Sequence, residues 1–274
     1  MAKLTEKEIA SKIDEYFEDN YQFLKQSGGH TIDRGMLKKA LNQVRCYYKK
    51  NRELMDRITD SEIKLTLPQQ ITPQEKIPYS IEGVVDIVEE GEKVLLYDLK
   101  THDPERIREN LTPYRAQLFV YAHIWKNLQK HRLDDTAIIA TPIPKALDEA
   151  LEKMENGDAS YRRNFEKEME KWEPIIPLGY DENEVADMIE QFGAVVEKIE
   201  NRKFNPPTVS RLKEKQPGAT SAFGTHVCRN CDVRFSCASY RQYVMESSGA
   251  KRNAMMKYMQ AAQDTNETFI EDNL

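Results

Sequence analysis

The sequence predicts an α/β fold, a mixed β-sheet flanked by helices with its elements in the order α-β-β-β-α-β. Three observations carry this expectation. Apolar residues recur at helical spacing in two N-terminal segments and again near the middle of the chain; three short strand-like runs, punctuated by Pro68, Pro73, Pro78 and Gly91, lie between them; and a continuous apolar run, Thr136 to Thr141, follows the central helix. A chain of 274 residues, 39% hydrophobic and 31% charged with only 11 Gly and 12 Pro, can bury a sizeable core, and its composition excludes disordered and fibrous classes.

Taken in order, Ile9, Ile13, Tyr16, Phe17 and Leu24 mark a helix over residues 5–24. A second helix runs from Asp33 to about Arg57 with Met36, Leu37, Leu41 and Val44, and Ser27-Gly28-Gly29 separates the two. Strands are expected over Glu62–Leu67, Tyr79–Val88 and Lys93–Lys100, the last two forming a hairpin. Tyr114 to Leu128 is a helix with Leu118, Tyr121, Ala122 and Trp125 on one face, and Thr136 to Thr141 is a buried strand. Beyond Pro142 the chain is acidic and helical through Glu170. A further helix, Glu182 to Asn201, carries the stripe Val185, Met188, Ile189, Phe192, Val196 and Ile199 and ends at Phe204-Asn205-Pro206-Pro207. The chain is thereby divided into an N-terminal helical segment (1–32), a core (33–145), an acidic helical insertion (146–203), a cysteine-bearing segment completed by Cys46 (204–245) and a polar tail (246–274).

The N-terminus lacks the apolar stretch of a signal peptide and no run is long enough to cross a bilayer, so the expected location is cytoplasmic, away from membranes. The net charge of -6 is unevenly distributed. Between Arg34 and Arg57 eight basic residues oppose Glu53 and Asp56, and from Glu197 to Arg241 nine oppose four acidic ones, whereas Asp148 to Glu190 holds fourteen acidic and five basic residues. Two basic segments flanking an acidic one suit a nucleic-acid partner only if a catalytic core lies between them; otherwise they are solvated helix faces.

The hairpin supplies that chemistry. Strand side chains alternate, so Asp98 and Lys100 share a face, and a turn centred on Glu92 sets Asp86 opposite Asp98. Two carboxylates within apolar strands are costly to bury unless neutralised, and a hard divalent cation with oxygen ligands achieves this. Such a cation polarises a phosphoryl oxygen and lowers the pKa of bound water, with Lys100 orienting the water or stabilising developing charge. Downstream, Cys228-x2-Cys231-x5-Cys237 together with the distant Cys46 makes four thiols, enough for a tetrahedral zinc or a [4Fe-4S] cluster; spacing alone leaves both open.

Gly83-x-x-Asp86, Asp98-Leu99-Lys100 and Gln117-x-x-x-Tyr121 together resemble the RecB-like branch of the PD-(D/E)XK nuclease superfamily, whose restriction-endonuclease-like core has the element order above. The resemblance implies that Asp86 and Asp98 bind magnesium or manganese, that Lys100 assists the attacking water, and that Gln117 and Tyr121 position metal or DNA. Two departures stand out: Val85 replaces the Pro that names the superfamily, and the third ligand common in RecB-like members is not obvious. Glu53 is the expected candidate and His30 its alternative. One Cys before the core and three after it look like the iron-sulfur RecB-like nucleases, including the AddB nuclease domain and the CRISPR-adaptation exonucleases. That likeness implies a [4Fe-4S] clasp on Cys46, Cys228, Cys231 and Cys237, with zinc as the alternative. The implied function is Mg/Mn-dependent DNA hydrolysis, an exonuclease on single strands or DNA ends, in repair, recombination or mobile-element processing beside a helicase or recombination protein. Arg45, Lys49, Lys50, Arg202, Lys203 and Lys213 are the expected phosphate contacts. The alternative is a non-catalytic, cluster- or zinc-stabilised DNA-binding subunit of such a complex.

Overall fold

The structure is a computed structural model that describes residues 4–28, 32–129, 132–155, 160–215, 221–247, 249 and 252–260. The chain falls into two compact units, Met1–Glu197 and Lys198–Leu274.

The first unit opens with α1 (Glu6–Gln26), started by a capping box in which the Thr5 side chain accepts from the Glu8 N–H and the Glu8 carboxylate accepts from the Thr5 N–H. Asp33 caps α2 (Arg34–Lys50) through Gly35 and Met36. The single helix expected from Asp33 to Arg57 is in fact broken. Asn51 turns its amide back onto the Tyr47 carbonyl, offering the backbone an alternative to helix, and a separate turn α3 (Arg52–Met55) follows.

The sheet comprises β1 (Ile58–Ile71), β2 (Pro78–Glu90), β3 (Val94–Lys100), β4 (Asp135–Ala140) and β5 (Ile175–Pro177) in that spatial order. β1, β2 and β3 pair antiparallel, β3 and β4 parallel, and β4 and β5 antiparallel. Together with its flanking helices this is the expected α/β fold, consistent with the restriction-endonuclease-like core. Two boundaries differ from expectation. β1 runs on past Leu67 because it is an edge strand, where Pro68 forfeits no ladder bond and Gln69, at φ 59°, absorbs a register shift. β5 escaped detection because three residues are too few for a periodicity to register.

Between β3 and β4 lie α4 (Pro104–Glu109) and α5 (Thr112–Gln129). α5 packs Leu118, Ala122, Ile124 and Trp125 against Leu65, Ile81, Val85, Val88 and Leu96, a core joined by Val185 of α8 (Glu182–Glu200). The opposite face of the sheet buries Leu54, Ile87, Tyr97, Ala137 and Ile139. α6 (Lys145–Glu155) and α7 (Tyr161–Lys171) form a separate layer in which Leu147, Leu151, Phe165, Met169 and Trp172 enclose Cys46. The acidic segment is thus packed structure within the first unit.

The second unit contains α9 (Val209–Lys213), α10 (Phe223–His226), a 3-10 turn at Cys228–Asn230, α11 (Ala238–Met245) and helical residues 252–260. Its small core is Tyr240, Val244 and Met255, and Phe235 stacks on Tyr258 at 4.4 Å. Among the described residues no helix is long and apolar enough to cross a membrane.

Candidate active site

The β2–β3 hairpin pairs Ile87 with Tyr97 through Glu90 with Val94, the register of a turn centred on Glu92. One further step in that register brings Asp86 opposite Asp98, just beyond the last pair. β2 is irregular here. Val85 and Val88 are both buried in the core beneath α5 although residues three apart in a regular strand face opposite ways. The irregularity coincides with Glu62 on β1, which takes φ 53° at the point where the β1–β2 ladder lacks a 62/86 pair. Freed from that ladder, Asp86 accepts the Leu99 N–H at 2.7 Å through Oδ2.

Asp98 is 2% exposed. Burial pushes its carboxyl above the usual carboxylate range; Lys100 pulls it back and the neighbouring Asp86 raises it again. The Lys100 ammonium lies 2.5 Å from Asp98 Oδ2 and pairs with it. Lys100 Nζ donates to Gln117 Oε1 at 2.8 Å, and Gln117 Nε2 donates to the Tyr121 hydroxyl at 2.8 Å. The network itself therefore sets which way the Gln117 amide points. Tyr121 can lie this close to β2 because residue 83 is glycine: a Cβ there would sit 2.6 Å from Tyr121 Cε1. Asp86, Asp98, Lys100, Gln117 and Tyr121 thus converge, with Gly83 as the reason for the close approach of α5. A buried carboxylate beside a second carboxylate, with a single ammonium between them and the solvent, is a donor set that fits a hard divalent cation held by Asp86 and Asp98.

Glu53 is exposed on α3, with its carbonyl accepting from Arg57, and among the described residues no three His, Cys, Asp or Glu side chains form a group that could hold a metal ion. The acid buried nearby is Glu89, bound by Arg57 at 2.5 Å and by the Tyr97 hydroxyl at 2.6 Å. His30 lies outside the described residues.

The basic stretch of α2 is largely matched inside the fold. Arg45 makes a two-pronged ion pair with Asp14, Arg52 meets Glu6, Lys38 meets Glu155 and Lys39 meets Asp148. Lys50 donates to the carbonyls of Met169 and Glu170 at the end of α7, and Lys49 lies over the Phe165 ring. Its positive charge therefore answers the acidic helices and α1. In the second unit Arg202 and Lys203 are exposed, and Lys213 pairs with Glu246.

The four cysteines carry free thiols. Cys46 is enclosed by the apolar side chains of α6 and α7, and burial pushes its thiol up to about 11. Cys228 and Cys237 are half-buried and Cys231 is exposed. Burial raises the Cys228 thiol, and Cys237 and Cys231 raise it further. Within the second unit the described Cys228, Cys231 and Cys237 are not grouped so as to hold a metal ion.

Two contacts at the rim escaped the sequence reading. The Tyr114 hydroxyl and His102 Nδ1 are 2.9 Å apart, and Gln43 of α2 reaches the Thr141 hydroxyl at 3.4 Å, itself 3.3 Å from the Lys100 carbonyl. The first was discoverable: His102 continues the two-residue spacing of Asp98 and Lys100, and Tyr114 sits one helical turn before Gln117.

The sequence matches the model of the PD-(D/E)XK nuclease superfamily over residues 3–238. No curated protein matches it. Among solved structures it is similar to one described as "Crystal structure of SSO0001", with 12% identity and a TM-score of 0.36, covering 82% of this chain and 79% of that chain.

Proposed function

This chain belongs to the PD-(D/E)XK nuclease superfamily, and on that premise we propose that it is a divalent-metal-dependent deoxyribonuclease of the RecB-like kind, an exonuclease on single-stranded DNA or DNA ends. The observation that carries the reading is the unbroken chain of contacts Asp98–Lys100–Gln117–Tyr121 with Asp86 beside it.

Asp86 and Asp98 are the ligands in this reading, and the cation they hold supplies Lewis-acid polarisation of the phosphate and water of lowered pKa. Lys100, steadied between Asp98 and Gln117, presents its remaining proton to the attacking water or to charge building on the phosphoryl oxygens. Gln117 holds the ammonium through Oε1, and Tyr121 holds Gln117 in that orientation. Phosphate binding by Arg45, Lys49, Lys50, Arg202, Lys203 and Lys213 is a subsidiary proposal. Exposed ion pairs contribute at most about 1 kcal/mol, so Arg45 and Lys213 can exchange Asp14 and Glu246 for a phosphate. Assignment of a [4Fe-4S] cluster or zinc to Cys46, Cys228, Cys231 and Cys237 is a proposal independent of the nuclease reading and is supported by the cysteine spacing. Iron, sulfide and zinc content of anaerobically purified protein tests it. DNA repair, recombination or mobile-element processing in a reducing, cytoplasmic setting, beside a helicase or recombination protein, is the proposed role.

The experiment is digestion of end-labelled single-stranded and duplex DNA with and without magnesium or manganese, alongside Asp86→Ala. Metal-dependent cleavage lost in the variant is expected. Absence of cleavage with intact DNA binding replaces the reading with a non-catalytic DNA-binding subunit.

A further inference from the structure

Two parallel rows of side chains bound the site. β3 presents Asp98 and Lys100 two residues apart, His102 follows in the bend just after the strand, and α5 presents Tyr121, Gln117 and Tyr114 at intervals of four and three, one face of a helix. The rows are cross-linked twice, by Lys100 to Gln117 at 2.8 Å and by His102 to Tyr114 at 2.9 Å. Exposure rises from Asp98 to His102: the Asp98 side chain is 4% exposed, that of Lys100 is 20%, and His102 is exposed. The polar track thus runs from the buried carboxylates to the surface and ends at the imidazole.

An exposed imidazole gains little stability from one hydrogen bond, since water would serve equally. Tyr114 does something else to it. Either group can donate in this contact; with the phenol as donor the ring takes the tautomer whose Nε2 carries hydrogen, and at this exposed position that N–H is available to a ligand. The ring is also fixed in direction, because Tyr114 is half-buried and anchored in the core beneath α5.

Resting on the nuclease reading above, we propose that His102, oriented by Tyr114, is a substrate-binding residue that donates to the phosphate next to the scissile one. Its contribution is positional: it sets the strand in register over Asp86 and Asp98 and takes no part in bond making. A hydrogen bond to a charged group corresponds to roughly a tenfold or greater change in affinity.

The test compares the wild-type enzyme with His102→Ala, His102→Gln and Tyr114→Phe on end-labelled DNA carrying either a normal or a methylphosphonate linkage beside the scissile phosphate. His102→Ala is expected to raise KM about tenfold with kcat within about twofold, His102→Gln to restore part of the loss, and Tyr114→Phe to give an intermediate KM. The neutral linkage is expected to weaken the wild type by a similar factor and His102→Ala by no more than about twofold. A methylphosphonate penalty that persists undiminished in His102→Ala, or a loss confined to kcat, overturns the assignment. Wild-type protein that cleaves nothing overturns the nuclease reading itself, whereas cleavage that is abolished by Asp98→Ala but indifferent to His102→Ala overturns this inference alone. Circular-dichroism melts guard against misfolding, since a surface substitution here is expected to change stability by under about 0.5 kcal/mol.

Discussion

Substituting Gly83 by alanine places one methyl group between β2 and α5 at the candidate site. The added Cβ would lie 2.6 Å from Tyr121 Cε1 and 2.9 Å from Cδ1, whereas carbon atoms rest at about 3.5–4.0 Å. The ring must therefore withdraw by about 1 Å. Its hydroxyl, 2.8 Å from Gln117 Nε2, then passes the limit of a useful hydrogen bond, and Gln117 is released from the orientation that holds Lys100. Overpacking of this kind costs about 1–3 kcal/mol, a fall in Tm of roughly 3–10 °C for a domain of this size. Thermal melts measure that part, and single-turnover cleavage reports the disturbed Lys100. The decisive assay is the double variant. Tyr121→Ala clears the space the new methyl needs, so Gly83→Ala/Tyr121→Ala should be more stable than the two single losses added together predict, by about 1 kcal/mol or more. Gly91, with nothing within 4 Å of its notional Cβ, is the control, and Gly91→Ala should leave both readouts near wild type. Additive losses from Gly83→Ala and Tyr121→Ala would show that the two residues do not meet, and would refute the account of why α5 stands so close to β2.

Four further outcomes are expected. Because burial raises the Asp98 carboxyl above its unfolded value, folding favours its protonated form; the metal-free protein should gain stability as pH falls through the folded pKa, and Asp98→Asn should flatten that dependence in melts across pH. The same variant should lose the stabilisation given by magnesium or manganese, about 2.7 kcal/mol for wild type at a hundredfold excess over Kd, and chelation should return wild type to its metal-free Tm. Maleimide labelling followed by mass spectrometry should find Cys231 modified and Cys46 protected at neutral pH in folded protein stripped of bound metal and cluster, since burial holds the Cys46 thiol at about 11; rapid labelling of Cys46 there would contradict its placement among α6 and α7. Lys50→Met, which strips donors from two carbonyls at the end of α7, should cost about 1–2 kcal/mol in a denaturant melt and, with one proposed phosphate contact gone, lower the salt slope of DNA binding by about 1; an unchanged slope would remove Lys50 from the phosphate contacts and leave it the structural role alone.

The hairpin was legible in the sequence because its information is local. Strand alternation and a short turn suffice to pair Glu90 with Val94, and from there to bring Asp86 opposite Asp98. The face of α5 that carries Gln117 and Tyr121 was equally readable from helical periodicity. What failed depended on tertiary context. The break at Asn51 rests on one side-chain amide, β1 outruns its proline because it lies at a sheet edge, and β5 is too short to have a period. Charge runs carry less information for a different reason: a linear count cannot tell a cation that faces solvent from one that faces an acidic helix. Lys38, Lys39, Arg45 and Arg52 all have carboxylate partners supplied from segments remote in sequence. The irregularity of β2 at Asp86 was invisible because it is matched to one on the partner strand, at Glu62, which the sequence of β2 alone does not encode.

No residue of α1 is fully buried, and Glu6 with Arg52 and Asp14 with Arg45 tie it to the α2–α3 segment beneath. Its attachment is therefore partly ionic, and ionic attachments weaken as the Debye length shrinks from about 10 Å at 0.1 M salt to about 3 Å at 1 M. Amide exchange in α1 should quicken with added salt while the sheet stays protected. Trimming α1 from an expression clone would expose two guanidinium groups that the intact chain keeps neutralised, giving a shortened protein that adheres to polyanions for reasons unrelated to catalysis.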